Sequence, residues 1–421
     1  MDFMQLPGGP LRLRDVTVPG CLVGRAEDLV RTDISIAGDR IVAEGGTPVE
    51  MGGAMVLPCF VDMHTHLDKG HIWDRAPNPD GTFPSALAAV AADREANWSA
   101  EDVRARMDFA LRCAQAHGTR AIRTHLDSLP PQDAITWPVF REMRAEWADR
   151  IALQGVCLVP VDKAGPDGPF ARTADIVADA GGVLGMVTYA VPDVRARLEG
   201  FLAMARDRGL AVDFHVDENG DPGPGTLRTI AETVLETGFD APVTVGHCCS
   251  LAVQDEAFAL ETLDLMAKAG MHVVSLPMCN LYLQDRQAGR TPRWRGITLL
   301  HEMRARGIGV SVASDNTRDP FYAYGDLDML EVLREATRIG QLDHAGPGWV
   351  ESVLGHPARA MGIEAPALAP GAPADLVICR ARTWIELLSR PQADRIVLRG
   401  GRAIDRTLPD YSELDHLTRT A

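Results

Sequence analysis

The chain has 421 residues, 46% of them hydrophobic and 5% aromatic, which is material for one large core with a smaller satellite domain. A formal net charge of -16 argues against the clustered Lys and Arg that phosphate-backbone binding needs, so no nucleic-acid partner is expected. Eight Cys, scattered without a CxxC pair, give no disulfide framework and read as buried or free thiols in a reducing compartment, with the cytoplasm as the default.

The opening Met1-Asp-Phe-Met-Gln-Leu-Pro7 lacks a basic stretch followed by an apolar run, and no apolar stretch approaches the roughly 18 residues that span a bilayer. Neither an export leader nor a membrane anchor is expected. Short alternating runs at 11–18, 33–36 and 40–43, broken by Gly and Pro, are β-hairpin material. Eight apolar, β-branched runs follow at 60–64, 120–126, 152–160, 183–187, 211–215, 243–247, 272–276 and 309–314. Segments with helical spacing lie between them, among them 101–117, 194–208, 227–236, 255–269 and 297–306, several closed by a Gly suited to a helix C-terminus. The tail returns to hairpin patterning at 374–380 and 396–404.

Strands alternating with helices in this number predict an α/β fold, a parallel (β/α)₈ TIM-like barrel. A doubly wound open sheet is the weaker alternative, because no GxGxxG opens the first unit. Neither flank can bury much surface alone. The economical arrangement joins 1–56 with 364–421 in a small β-sandwich built from both termini, around a barrel at 57–363.

A parallel barrel gathers its chemistry at the C-terminal ends of the strands. There the first run ends in His64-Thr65-His66, the fifth in His215 followed by Glu218, the sixth in His247 and the eighth in Asp315. Side chains alternate along a strand, so both imidazoles of an HxH pair face the same way. Two such imidazoles, a third from the fifth strand and a carboxylate from the eighth make a mixed N/O set for Zn²⁺ or Fe²⁺ with room for a water. An HxH pair alone is often structural, and a lone strand-terminal Asp is more often a cap. Four ligand types on four strand ends are not explained that way. His125 ends the second run, and both packing and a place behind the ligands or facing a substrate stay open for it.

These residues carry a resemblance to the amidohydrolase superfamily, in particular to its cytosine deaminase-like branch. The matching stretches are Val56-Leu-Pro-Cys-Phe-Val-Asp-Met-His-Thr-His-Leu-Asp-Lys69, His215-Val-Asp-Glu218, Gly246-His247, Asn280-Leu-Tyr-Leu-Gln284 with Arg295-Gly-Ile-Thr298, Ala313-Ser-Asp-Asn-Thr-Arg-Asp-Pro320 and Gly371-Ala-Pro-Ala-Asp375. The resemblance implies one divalent metal per subunit held by His64, His66, His215 and Asp315, with Glu218, His247 and Asp315 as catalytic groups. It also implies hydrolytic deamination of a small aminated nitrogen heterocycle, cytosine or a related aminopyrimidine, with release of ammonia. A metal-activated water would attack the ring carbon while Glu218 protonates the neighbouring ring nitrogen. A homo-oligomer is the expected assembly, and the expected partner is that small-molecule substrate alone.

The match departs from the cytosine deaminases in two places. Where they carry Pro-Gln-Glu after the third strand, with a Gln amide reading the pyrimidine edge, this chain has Pro160-Val161-Asp162-Lys163, and where they have a second Asp after the eighth strand it has Asn316. Losing an amide that both donates and accepts changes what a pocket holds. Val161, Asp162, Asn316 and Lys69 are therefore the candidate substrate contacts, with His71 and Trp73 on the same loop as Lys69. Hydrolysis of N-alkylaminotriazine or cyclic amide C–N bonds is the alternative activity, and a catalytically inactive metal-binding homologue is a further one. Binuclear relatives use a carbamylated Lys, usually on the fourth strand, and 183–190 contains none, which leaves only Lys163 beyond the third strand.

Overall fold

The structure, a computed structural model, describes residues 5–165, 168–344, 346 and 348–418. Residues 1–4, part of the stretch read for a leader, lie outside them. The chain divides into two compact units. One gathers the chain up to Val61 with Arg112–Arg120 and Asp328–Leu408, and the other Asp62–Leu111, Ala121–Leu327 and the segment from Pro409.

In the first unit the strands of both flanks join one eight-stranded sheet. Its seam is the antiparallel pairing of Met55–Pro58 with Leu376–Cys379, which brings the two ends of the chain together. Alternation explains the interior strand Leu11–Pro19, where Leu11 and Leu13 are buried and Arg12 and Arg14 exposed. The hydrogen bonds make one continuous sheet from these flank strands.

The second unit is α/β with parallel strands. Leu184–Thr188, Val212–Val216, Val243–His247, His272–Ser275 and Gly309–Val312 form a parallel five-stranded sheet in chain order. Phe60–Thr65, Thr119–Asp127 and Ala152–Leu158 form a sheet of three. Single parallel bridges link them on both sides, Val156 with Val183 and Pro160 with Val187 at one, Thr65 with Asp315 at the other. Each of the strands Val212–Val216 and Val243–His247 is buried along its whole length. Burial on both faces leaves short, mostly apolar and β-branched runs between longer helical segments, which is why the sequence located these strands to within a residue or two.

Helices intervene between successive strands, with local stop and start signals. Leu227–Thr237 ends at Gly238 in a left-handed conformation whose N–H reaches back to Leu235. Glu256–Lys268 begins at Asp255, whose side chain accepts the N–H of Phe258. Among the described residues no helix is long and apolar enough to cross a membrane.

Close strand contact imposes one strict choice. A side-chain carbon at Gly185 would collide with the carbonyl oxygen of Cys157 and the side chain of Val156 on the neighbouring strand. Gly185→Ala should therefore destabilise the protein by about 2 kcal/mol or more, read as a lower denaturant midpoint at unchanged slope.

Candidate metal and hydrolytic site

The site begins at the end of the first parallel strand. His64 lies within Phe60–Thr65 and His66 just beyond it, so pleating turns both imidazoles to one side. His215 comes from Val212–Val216. Asp315 follows the eighth strand and is tied to the first by donating its backbone N–H to the His64 carbonyl at 2.8 Å. The backbone bends sharply at these strand ends: Asp217, His247, Cys248 and Asp315 have φ of 47°, 67°, 53° and 63°. A non-glycine residue in this left-handed region costs on the order of 1–2 kcal/mol, and such strain concentrates where side chains must be aimed.

These turns bring four side chains together. His64 Nε2 lies 3.1 Å from His215 Nε2, which lies 3.4 Å from His66 Nε2. Asp315 Oδ1 is 3.2 Å from His66 Nε2 and 3.5 Å from His64 Nε2. Burial, reinforced by neighbouring imidazoles and, at His66, by Lys69, pushes the pKa of all three rings well below the ordinary histidine value. The rings are neutral and present lone pairs. Facing Nε2 atoms cannot all find a proton between them, and among the described residues no nitrogen or oxygen donor hydrogen-bonds the Asp315 carboxylate, which takes a hydrogen bond from the Cys279 thiol. Three neutral imidazoles and a carboxylate oxygen at these separations fit a divalent cation.

Against this cluster runs a polar chain of which the sequence offered only His125, for which packing and a place behind the ligands were both open, and not Arg123 or Asp213. The ring centroid of His125 is 4.0 Å from that of His64 and 4.7 Å from that of His215. His125 Nε2 sits 3.3 Å from Asp213 Oδ1, and Arg123 donates to Asp213 Oδ2 at 2.8 Å. All three residues are buried. Asp213 stands two residues before His215 on the same strand, so pleating points both inward, and that spacing was the available signal.

Glu218 sits on the turn after the fifth strand. Asp217 pins the turn by accepting the N–H groups of Thr226 and Leu227 at 2.8 and 3.0 Å. Helix Pro277–Leu283 then holds Glu218 in place. The Asn280 amide donates to Glu218 Oε1 at 3.2 Å and to His247 Nδ1 at 3.0 Å, and Gln284 donates to the Glu218 carbonyl at 3.0 Å. An amide nitrogen only donates, so His247 Nδ1 accepts and its proton is on Nε2. Burial, followed by the influence of His125, takes the His247 pKa down to about 3. Burial first, and the charge of Asp315 second, raises the Glu218 carboxyl well above its ordinary value. Gly296, at φ 74°, lets its chain pass against this helix, where a side chain would meet the Asn280 carbonyl and Gln284.

The substrate candidates divide. Lys69 is buried, with Nζ 3.2 Å from Asp127 Oδ1 and 5.3 Å from the Phe321 ring centre. Burial opposes its charge, but Asp127, Asp68 and Asp319 together hold its pKa above the ordinary lysine value. Asn316 is also buried and donates to Asp319 Oδ2 at 2.7 Å. Val161 is buried with its N–H given to the Val187 carbonyl. Asp162 is exposed, accepts from Tyr189 Oη at 2.5 Å, and has Lys163 beside it at 3.5 Å. The structure thus groups Lys69 and Asn316 with the buried acids near Asp315 and leaves Asp162 and Lys163 at the surface. His71 packs edge-on against Phe109.

A model described as the amidohydrolase family matches residues 162–404. The chain belongs to the amidohydrolase family. This amidohydrolase is 56% identical over 409 residues to a pterin deaminase of Rhizobium rhizogenes, covering 95% of this chain and 94% of that one. It is 26% identical over 398 residues to an N-isopropylammelide isopropyl amidohydrolase of a Pseudomonas species, covering 88% and 93%. A crystal structure of 5-methylcytosine deaminase from Klebsiella pneumoniae liganded with 5-fluorocytosine superposes with a TM-score of 0.77 at 24% identity, covering 95% and 98%, a likeness of fold. The amidohydrolase is accordingly a hydrolase acting on C–N bonds, with a His-rich cluster suited to a divalent metal.

If the four side chains share an ion, His64→Ala should reduce bound metal from about one equivalent to near none. Elemental analysis of the purified variant checks this, and the melting temperature should stop responding to added chelator, since only the wild type has bound metal to lose.

Proposed function

We propose that this amidohydrolase hydrolytically deaminates a pterin-type ring, releasing ammonia. The observation that carries the reading is the 56% identity, along 95% of the chain, to the Rhizobium rhizogenes pterin deaminase. Pterin is a 2-amino-4-oxopteridine, and its pyrimidine half presents an amino-bearing carbon with a ring nitrogen beside it, as the aminopyrimidine expectation required. Cytosine itself gives way to this larger fused ring.

The fold reading behind the proposal is a closed (β/α)₈ barrel with a small β-sandwich made from the terminal sheet. The bridges at Val156–Val183, Pro160–Val187 and Thr65–Asp315 support closure of the eight parallel strands. In such a barrel His64, His215, His247 and Asp315 come from C-terminal strand ends, where catalytic groups collect.

His64, His66, His215 and Asp315 would hold a single Zn²⁺ or Fe²⁺. Bound there, a divalent cation supplies Lewis acidity that brings the pKa of a water toward neutrality. Glu218, kept protonated by its buried surroundings, gives its proton to the ring nitrogen beside the amino-bearing carbon, which makes that carbon electrophilic. Asp315 accepts a proton from the attacking water and passes it to the departing amine. His247, with Nδ1 occupied by Asn280, directs its Nε2 proton toward the incoming oxygen. The exocyclic C–N bond breaks, the ring carbonyl forms as the remaining hydroxyl proton returns to Glu218, and ammonia leaves. Lys69 and Asn316 are the proposed contacts to the rest of the ring, the ammonium suiting its carbonyl oxygen.

Ammonia release by metal-loaded protein, measured with pterin, cytosine and N-isopropylammelide (with isopropylamine assayed for the last), tests the reading. Pterin should be preferred over cytosine by at least about 100-fold in kcat/KM. Turnover of cytosine or the triazine without turnover of pterin would refute it. Glu218→Gln should keep its metal and lose about 10²–10⁴ of the rate with pterin.

A further inference from the structure

The segment from Pro409 belongs to the second unit, where it returns to the loops that follow the first and eighth parallel strands. It enters through the short helical turn Tyr411–Leu414, capped reciprocally: Asp410 accepts the Ser412 N–H at 2.8 Å and Glu413 accepts the Asp410 N–H at 3.1 Å. The Tyr411 ring, half-exposed, stacks on buried Phe109 with centroids 5.8 Å apart, and the Arg318 guanidinium lies over the Tyr411 ring at 4.2 Å. Phe109 in turn meets the His71 ring edge-on at 4.8 Å, while Arg318 reaches Asp74 at 3.3 Å. Backbone bonds join the same two loops, His71 donating to the Thr317 carbonyl at 3.0 Å and Trp73 to the Arg318 carbonyl at 2.8 Å. Further along, the Leu417 carbonyl accepts from Arg75 at 3.1 Å, and Arg75 is itself held by Asp93 at 2.8 Å. His71 and Arg318 have φ of 62° and 49°, a conformation that non-glycine residues keep only where neighbours impose it. Lys69 stands two residues before His71, and Asn316 two before Arg318.

We infer that Tyr411 is a positioning residue for the proposed reaction: it clasps the loops after the first and eighth strands, so that Lys69 and Asn316 meet the ring together. The inference rests on the proposed function for its substrate and goes beyond it by giving a role to a residue nearly 100 positions downstream of the last strand-end group, Asp315. One aromatic ring touches both loops, one through Phe109 and His71 and the other through the Arg318 cation. Stacking and the cation over the ring together shift a local open–closed equilibrium by about tenfold. Without the ring, the loops sample open arrangements in which Lys69 and Asn316 no longer face the substrate together. Only the closed fraction binds productively, so apparent KM rises as that fraction falls, while the closed complex keeps its rate.

The test compares full-length, metal-loaded wild type with Tyr411→Ala and Tyr411→Phe. Amide hydrogen exchange, read by mass spectrometry, should be about tenfold faster in Tyr411→Ala at residues 69–76 and 316–326. It should be unchanged in Val212–Val216 and Val243–His247, which separates loosened loops from general destabilisation. With pterin as substrate, Tyr411→Ala should raise KM about tenfold with kcat within about twofold and bound metal unchanged. Tyr411→Phe keeps the ring and should behave as wild type. In an Arg318→Met background the same Tyr411→Ala change should raise KM by no more than about threefold, because the cation that the ring held is already gone. Unchanged exchange in both loops overturns the inference, as does faster exchange with KM and kcat both at their wild-type values, or a Tyr411→Phe variant that matches Tyr411→Ala. If wild type does not turn over pterin, the substrate reading fails by itself, and exchange, which needs no turnover, still decides whether Tyr411 clasps the loops.

Discussion

Three imidazoles and a carboxylate, each within 3.5 Å of two of the others in a buried interior, are an unfavourable arrangement by themselves. Burial removes the protons that would let these rings hydrogen-bond to Asp315 as cations, and neutral rings then face each other with lone pairs. An arrangement of that kind persists only if the surrounding chain over-determines it. The left-handed turns at His247 and Asp315 do so from the strand ends, and the His125–Asp213–Arg123 chain does so from behind. The strands are held so closely that Gly185 has no room for a side chain. Each of these features makes sense as support for a cation-binding pocket, and little sense without one.

The acid beside that pocket depends on it electrostatically. Glu218 is buried near Asp315, and two carboxylates in one low-dielectric space cannot both ionise cheaply. Lys69 is a buried cation in the same neighbourhood, already engaged by Asp127. The positive charge there is therefore partly spoken for. The balance between these acids, Lys69 and a bound ion decides which carboxyl keeps its proton.

Much of this was legible in the sequence for a definite reason. Strands buried on both faces read as short, mostly apolar runs, and polar residues at their C-terminal ends stand out against them, which is how His64, His66, His215, His247 and Asp315 were found. Polar residues inside such strands do not stand out. Arg123, His125 and Asp213 look like interruptions of apolar runs, and their meaning lies in pairing between strands far apart in the chain. Asn280 and Gln284 were visible only as part of a resemblance, because what they do, holding Glu218 and His247, depends on where their helix lands. Asp162 and Lys163 illustrate the opposite limit. Spacing along a loop does not fix which way a side chain leaves it, and these two leave toward solvent.

Helix Pro277–Leu283 grips Glu218 at both its side chain and its carbonyl and grips His247 through the same Asn280 amide. Glu218 and His247 are consequently tied to one another through a single amide, so a displacement of either is felt by both. Lys69 and Asn316 hang on other segments, after the first and eighth strands. Under the proposed function, Lys69 and Asn316 could therefore be exchanged for a new ring while the Glu218–Asn280–His247 unit is inherited intact, which would give a physical basis for one scaffold diverging across many heterocycles.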